Sequence, residues 1–256
     1  MAMSSSSSSS PSCCLKSFAW QGTPSGRVDK LGANDSYVTG DNPERAVLFI
    51  HDALGWTFPN ARLLADHYAR EADATVYVPD FLGGEVLPFE PILQGRFHEV
   101  DFAGFLARNG REVREPEILA AARLLRSRYK RVAAVGFCYG GWACFRLGTA
   151  QEHQPPLVDC ITAGHPSLLT KKDIDEVAVP VQMLAPEHDP TYTPELKTHT
   201  FETVPKAGVY FEYLHLPGVE HGCLVRGDPD KAGEREAMAR ARNAAVTWFR
   251  QFLHEG

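Results

Sequence analysis

A cysteine lies between two glycines at the end of an apolar run. The stretch 131–137 reads RVAAVGF, and Cys138 follows it, with Gly136 before and Gly140 after. A strand that continues through Gly-x-Cys-x-Gly into a helix makes a sharp turn, which projects the central side chain above the sheet. A helix N-terminus at that turn also favours the thiolate. The pattern predicts a nucleophilic Cys138, and the alternative is a buried structural cysteine.

A nucleophilic thiol needs a base and a group that orients the base. Where the nucleophile lies on such a turn, its partners follow along the chain in the order acid, then histidine. Asp189 and His221 each come after a predicted strand, so both should lie at the carboxyl edge of the sheet. We predict that Asp189 is the acid and His221 the base. His188 and His215 compete for the role of base, but His188 adjoins the acid and His215 lies within a strand pattern.

Backbone N–H groups close to the thiol could stabilise an oxyanion. The residue after the nucleophile, Tyr139, supplies one such donor, and the turn after the first strong strand supplies the second, at Ala53. Asp52 precedes Ala53 and would place a carboxylate near the thiol. Its alternative role is to cap the helix that follows.

Short apolar runs alternate with longer amphipathic segments along the chain. Several runs are apolar at consecutive positions, as in strands that are buried on both faces of a parallel sheet. Amphipathic helices are predicted over 59–72, 115–129 and about 231–253. The alternation predicts one α/β domain with a doubly wound, mostly parallel sheet flanked by helices. The predicted strands are 45–50, 74–81, 131–137, 158–164, 180–186 and 208–216.

One connection, residues 83–112, is longer than an ordinary link between a strand and a helix. Loops of that length in a compact domain are usually functional or hold a small helix. We predict a partial lid, in which Phe89 contributes to a substrate pocket. The alternative is that the apolar side chains of the lid form a small core of their own. These side chains are Leu87, Phe89, Ile92, Leu93, Phe97, Phe102 and Phe105.

Charge and hydropathy exclude two classes of partner. The 256 residues carry a formal net charge of −6, which is spread along the chain without a Lys/Arg run. We therefore expect no nucleic-acid partner. No stretch approaches the ~18 consecutive apolar residues of a membrane span, so we expect no membrane association.

The serine run and the cysteines bear on the domain boundary and the compartment. Residues 1–17 are predicted to be a disordered serine-rich tail, and residues 18–256 the folded domain.

The six cysteines include no CxxC pair, so neither a disulfide framework nor a structural zinc site is expected. These features favour a reduced, cytoplasmic protein, and we expect a monomer or a weak homodimer.

Together these motifs resemble the dienelactone hydrolase family of α/β-hydrolases. The segments CCLKSFAWQGTPSG and SYVTG are similar to its fungal and plant branch. The resemblance covers about residues 18–253 and rests on FIHDALGW, VPDFLGG, GFCYGG, APEHD and EHGCLVRGD. It implies a hydrolase of cyclic or linear esters that uses no metal or cofactor. Its partner would be a small-molecule ester or lactone. In that family pattern Cys138 would attack the carbonyl, His221 would move the proton and Asp189 would hold the imidazole.

The sequence departs from the bacterial members of that family at two positions. In the bacterial enzymes a glutamate of the first loop pairs with the resting thiol. This sequence has the shorter Asp52 at that position. An arginine after the second-strand PD motif there grips the substrate carboxylate, and Gly84 stands here instead. Arg226 could supply that grip or could be a surface charge. Dienelactone itself is therefore not the expected substrate.

Two other functions are compatible with the same residues. A small-molecule binding protein on this fold could retain the triad without turnover, since a fold does not define a function. Acylation without deacylation would favour it. A redox sensor could use Cys138 with Cys144 as the resolving cysteine, but we expect Cys144 to point elsewhere because it lies six residues later, in the next helix.

Overall fold

The computed structural model describes residues 17–150 and 154–254. Within these ranges one sheet of eight strands carries the domain, as the sequence predicts for an α/β fold. The strands are β1 (Arg27–Leu31), β2 (Asn34–Thr39), β3 (Arg45–Ile50), β4 (Thr75–Pro79), β5 (Arg131–Phe137), β6 (Cys160–Gly164), β7 (Val181–His188) and β8 (Phe211–Glu220). Their order across the sheet is β1-β2-β4-β3-β5-β6-β7-β8.

The sheet is parallel from β4 to β8, and the carboxyl ends of these strands therefore share one edge. All six predicted strands are present. The antiparallel pair β1 and β2 at the other margin was not predicted. Strand β1 is exposed at all positions except its last, Leu31, so it lacks the apolar run by which buried strands are recognised.

Helices connect the strands. They are α1 (Pro59–Ala72), α2 (Phe89–Leu93), α3 (Phe102–Arg108), α4 (Arg111–Arg128), α5 (Gly141–Leu147), α6 (Lys171–Asp175), α7 (Pro194–Thr203), α8 (Cys223–Arg226) and α9 (Ala232–His254). Helices α1 and α9 match the predicted segments closely. Helix α4 begins four residues before the predicted start at 115 and continues through Pro116.

Two apolar cores cover the two faces of the sheet, because successive side chains of a strand point to opposite faces. Leu48 and Ile50 of β3 pack with residues of α4 and α5. Val47 and Phe49 of the same strand pack with residues of α1 and α9. The helices are thus divided between the faces, which is the doubly wound arrangement predicted from the sequence.

The long connection 83–112 contains α2, α3 and a short 3-10 turn. Its side chains Leu87, Ile92 and Phe105 are buried in a third apolar cluster, which also includes Ala53 and Tyr139. The lid side chains therefore have a core of their own, and that core rests on the two residues predicted to supply the oxyanion donors.

The predicted tail lies largely outside the described residues. Ser17, which the prediction assigned to the tail, is buried, and the N–H of Phe18 donates to the carbonyl of Arg226 at 2.9 Å. In the described part of the chain no helix is both long and apolar enough to cross a membrane. Nor do those residues group three His, Cys, Asp or Glu side chains as a metal site requires.

Candidate active site

The turn between β5 and α5 holds Cys138 in the left-handed region, with φ of 50°. A non-glycine residue there is strained, and such strain clusters at functional sites. The flanking glycines allow the close approach of backbone to backbone. A Cβ on Gly136 would lie 2.2 Å from the carbonyl oxygen of Gly140, and a Cβ on Gly140 would lie 2.1 Å from that of Ile50. The turn therefore has the sharp geometry that the sequence predicts.

His221 and Asp189 form a buried pair beside this turn. Nδ1 of His221 lies 2.9 Å from Oδ1 of Asp189, and their side chains are 1% and 0% exposed. The same carboxylate oxygen accepts the N–H groups of Thr191 at 2.9 Å and Tyr192 at 3.0 Å. This arrangement holds the imidazole with its proton on Nδ1 and leaves Nε2 free to exchange protons.

The competing histidines are in different surroundings. His188 and His215 are both exposed, and the carbonyl of His188 accepts the N–H of His221 at 2.9 Å. An exposed imidazole is a poorer general base than one that a buried carboxylate orients. The geometry therefore favours His221.

The charges of the site favour an ion pair between the thiol and the imidazole. Burial opposes ionisation of Cys138, but the charge and the nearby ring of His221, together with Arg226, lower the pKa of the thiol. Burial also opposes protonation of His221, yet the negative charges of Cys138 and Asp189 raise the pKa of its ring. Both directions stabilise a thiolate beside an imidazolium.

Asp189 remains ionised in this environment. Burial would raise the pKa of its carboxyl group, but the hydrogen bond and the charge of His221 outweigh burial and lower that pKa. The carboxylate is therefore ionised at neutral pH and available as the partner of the imidazolium.

The carboxylate of Asp52 forms a buried ion pair with the guanidinium of Arg226. The Oδ2 atom of Asp52 lies 2.8 Å from Nε of Arg226, and their side chains are 1% and 2% exposed. The other carboxylate oxygen of Asp52 accepts the N–H of Leu54 at 2.9 Å. Asp52 thus combines a contact within its own turn with an ion pair, and it does not cap the following helix, which begins at Pro59 without a side-chain cap. Arg226 is buried and is not the surface charge that the sequence left open.

The two predicted oxyanion donors are buried in one cluster. Ala53 is 5% and Tyr139 1% exposed, and both belong to the lid core. Tyr139 is the second residue of a 3-10 turn, Cys138–Gly140, and N–H groups at the start of such a turn have no partner within it. The hydroxyl of Tyr139 donates to the carbonyl of Asn109 at 2.8 Å, which fixes the ring against the lid.

Gly84 lies apart from the catalytic candidates. It is exposed with φ of 81°, and its N–H donates to Asp80 Oδ2 at 2.7 Å. The cavity that it lines, of about 510 Å³, includes the carboxylates of Asp35, Asp80 and Glu117. A separate opening of about 340 Å³ is lined by His188, Asp189, Pro190, Glu220 and His221. Gly84 itself therefore supplies no charge for a substrate carboxylate.

Phe89 lies at the edge of the lid core. It begins helix α2 and is half-buried, with its ring centroid 5.3 Å from that of Phe58. Its role in a substrate pocket stays a prediction, since its described contact is to another aromatic side chain of the lid core.

Sequence reasoning missed two residues that follow β6, His165 and Ser167. His165 is fully buried with φ of 36°, and its ring centroid lies 4.8 Å from that of His221. Ser167 Oγ lies 3.5 Å from Cys138 Sγ. The available signal was their place at the carboxyl end of a predicted strand, which is where ligands bind in open α/β sheets.

Cys144 is part of the core rather than of the site. It is fully buried in α5, where its thiol donates to the carbonyl of Thr162 at 3.6 Å. Burial raises the pKa of this thiol, which makes it a poor nucleophile. These contacts give no support to a redox pair between Cys144 and Cys138.

Comparison with known proteins agrees with this architecture. The model of the dienelactone hydrolase family matches residues 35–253. The hydrolase tropI of Talaromyces stipitatus is 28% identical over 96% of this chain and 98% of that protein. The carboxymethylenebutenolidase homolog of Mus musculus is 26% identical over 85% of this chain and 87% of that protein.

Solved structures show the same fold. A putative dienelactone hydrolase from Klebsiella pneumoniae superposes with a TM-score of 0.69 at 15% identity, over 89% of this chain and 99% of that one. Carboxyl esterase 2 from Tuber melanosporum gives a TM-score of 0.66 at 12% identity, over 92% and 90%. These similarities agree with the α/β-hydrolase architecture described above. With the family model matching most of its length, this chain belongs to the dienelactone hydrolase family.

Proposed function

We propose that this chain hydrolyses a small-molecule ester, lactone or thioester through an acyl-thioenzyme on Cys138. Family membership supports a hydrolase that acts on esters or lactones. The observation that carries the proposal is the strained turn of Cys138 beside a buried His221–Asp189 pair with a 2.9 Å contact. A strained nucleophile next to an oriented base is the arrangement that acyl transfer requires.

The geometry supports a two-step reaction. The thiolate of Cys138 attacks the carbonyl carbon, and the N–H groups of Ala53 and Tyr139 receive the developing oxyanion. The imidazolium of His221 gives its Nε2 proton to the leaving alcohol or thiol as the bond to the carbonyl carbon breaks. Neutral His221 then takes a proton from water, which attacks the thioester. The acid leaves and the ion pair with Cys138 is restored, while Asp189 holds the ring throughout.

Turnover separates this proposal from a binding protein on the same fold. We expect a panel of neutral esters, lactones and thioesters to include a substrate from which the protein releases many equivalents of acid. The measurement is the amount of acid formed per mole of protein at a saturating substrate concentration. Release of one equivalent, followed by a stable acyl-protein, would identify a single-turnover binding protein instead.

The protonation of Cys138 gives a prediction about pH. Because its thiol pKa is lowered, alkylation by iodoacetamide should remain fast below the pH at which an ordinary cysteine, with a pKa of about 8.5, loses its thiolate. The rate should fall only as acid protonates the thiolate. The measurement is the rate of alkylation of Cys138 against pH, followed by peptide mass. A midpoint at the ordinary cysteine value would contradict the ion pair.

The charge of the substrate gives a further prediction. A neutral aromatic or medium-chain ester should have a kcat/KM at least about tenfold above that of dienelactone, because the carboxylate of dienelactone would lose its water without an unpaired charge from Arg226 or Gly84. Arg226 is already paired with Asp52 at 2.8 Å, and Gly84 has no side chain. One missing charge-assisted hydrogen bond corresponds to about 1.5–3 kcal/mol. The two substrates are compared side by side in one assay.

The variant Asp52→Asn is the informative control for this comparison. It removes the charge that occupies Arg226, so the ratio between the two substrates should shift towards dienelactone. A clear preference of the unaltered protein for dienelactone would mean that Arg226 leaves Asp52 and grips the substrate carboxylate.

A further inference from the structure

The segment after β6 is hydrogen-bonded to the turn that holds Cys138. The N–H of Ser167 donates to the carbonyl of Cys138 at 2.8 Å, so the backbones of the two residues are held together. The side chains also meet, since Ser167 Oγ lies 3.5 Å from Cys138 Sγ. Hydrogen bonds to sulfur are longer than those between oxygens, and either atom can be the donor here. The nucleophile therefore has a hydroxyl neighbour in addition to His221.

The hydroxyl of Ser167 has a second partner on the opposite side. It lies 3.4 Å from Oγ1 of Thr191. The one proton of the Thr191 hydroxyl has two acceptors within reach, Asp189 Oδ1 at 2.9 Å and the carbonyl of Pro166 at 3.1 Å. Thr191 Oγ1 also lies 3.2 Å from Nδ1 of His221. Two hydroxyls thus connect the thiol to the carboxylate along the flank of the imidazole. The 3.4 Å contact is long, as hydrogen bonds of catalytic sites often are before substrate binds.

We propose that Ser167 is a positioning residue for the nucleophile, whose hydroxyl accepts from the neutral thiol and donates to the thiolate of Cys138. When Cys138 is neutral, its S–H donates to Ser167 Oγ, and the Ser167 hydroxyl donates to Thr191. When Cys138 is ionised, the hydroxyl of Ser167 rotates and donates to the sulfur. A hydroxyl can do both because it is one donor with two acceptor lone pairs.

The charged groups around Cys138 act on its thiolate in opposite directions. His221 and Arg226 stabilise the thiolate, and Asp52 opposes it. His165 packs against His221, and burial together with the charge of His221 lowers the pKa of His165, so that ring is neutral. Ser167 adds a neutral donor that follows the protonation state of the sulfur without adding charge. Charge-assisted hydrogen bonds of this kind are stronger than neutral ones.

The inference rests on the proposed nucleophilic role of Cys138, and alkylation of that thiol tests it separately from ester hydrolysis. In Ser167→Ala we expect the midpoint of the alkylation rate against pH to rise by about one unit, because the thiolate loses a donor. We expect the acid limb of kcat/KM for the best ester to move in the same direction, so that kcat/KM on that limb falls about tenfold with the thiolate fraction.

A matched pair of variants separates the hydroxyl from the shape of the side chain. Ser167→Thr keeps the hydroxyl and should restore both profiles, whereas Ser167→Val has nearly the same shape without the hydroxyl and should behave like Ser167→Ala. Ser127→Ala removes an exposed hydroxyl that donates to the carbonyl of Leu124 within its own helix, and it should change neither profile.

The results distinguish failure of the inference about Ser167 from failure of the proposed function. If Ser167→Ala and Ser167→Val keep the unaltered pH profile, the inference is overturned. It is also overturned if activity falls in both without a shift in pH and Ser167→Thr fails to restore it, since that result indicates packing alone. If Cys138→Ala still hydrolyses ester, the proposed function fails instead, whatever Ser167 does to alkylation.

Discussion

Replacement of Cys138 by alanine is expected to abolish ester hydrolysis while the fold remains intact. Alanine fits the turn, which is lined by Gly136 and Gly140, and it removes the sulfur whose charge raises the pKa of His221. The nucleophile is then lost, so no acyl-enzyme can form. The measurements are kcat/KM for the best ester and the melting temperature of the variant.

Two further variants complete this test. Cys138→Ser should keep some activity, because the His221–Asp189 pair can activate a hydroxyl. Cys144→Ala is the matched control, since it removes another buried thiol from the helix that follows the turn, and it should retain hydrolysis. Hydrolysis at the unaltered rate by a folded Cys138→Ala protein would refute the mechanism.

Loss of His221 should have an effect of similar size. His221→Ala removes the proton carrier and the positive charge that stabilises the thiolate, so kcat should fall on the order of 10³-fold or more. Alkylation of Cys138 at neutral pH should slow as well, because the main cause of its lowered pKa is gone. Steady-state kinetics and alkylation rates measure the two effects independently.

The other histidines provide the comparison for this prediction. His188→Ala and His215→Ala alter exposed side chains, and each should change kcat far less than His221→Ala does. If His188→Ala is instead the inactive variant, the assignment of the base is wrong, and the 2.9 Å contact between His221 and Asp189 has a structural role only.

The fold was predictable where burial leaves a pattern in the sequence. Strands β3 to β7 include apolar runs because they are largely covered on both faces. The hairpin of β1 and β2 was missed, since its first strand is exposed and polar. Helix α4 was predicted to start near Pro116, but Arg111 in its first turn is held by Asp173 at 2.7 Å and stacks 4.5 Å from Trp142. Contacts between distant segments of this kind are not visible in a local pattern.

The residues of the candidate site also fall into two groups, those that the sequence predicts and those that only the fold brings together. Cys138, Asp189 and His221 were predicted because each follows a strand in an order that acyl-transfer chemistry uses, and the side chains of the last two lie together as expected. The ion pair of Asp52 with Arg226 and the contact of Ser167 with the thiol join loops that are far apart in the chain. Their spacing in the sequence carries no periodic signal, so only the folded arrangement reveals them.

The most direct test of the central claim is the mass of the protein after it is mixed with a substrate and quenched in acid. We expect the mass to increase by one acyl group, and peptide mapping should place that group on the peptide that contains Cys138. The same experiment with Cys138→Ala should give no increase. An acyl group on another residue, or an equal increase in Cys138→Ala, would contradict an acyl-thioenzyme at this turn.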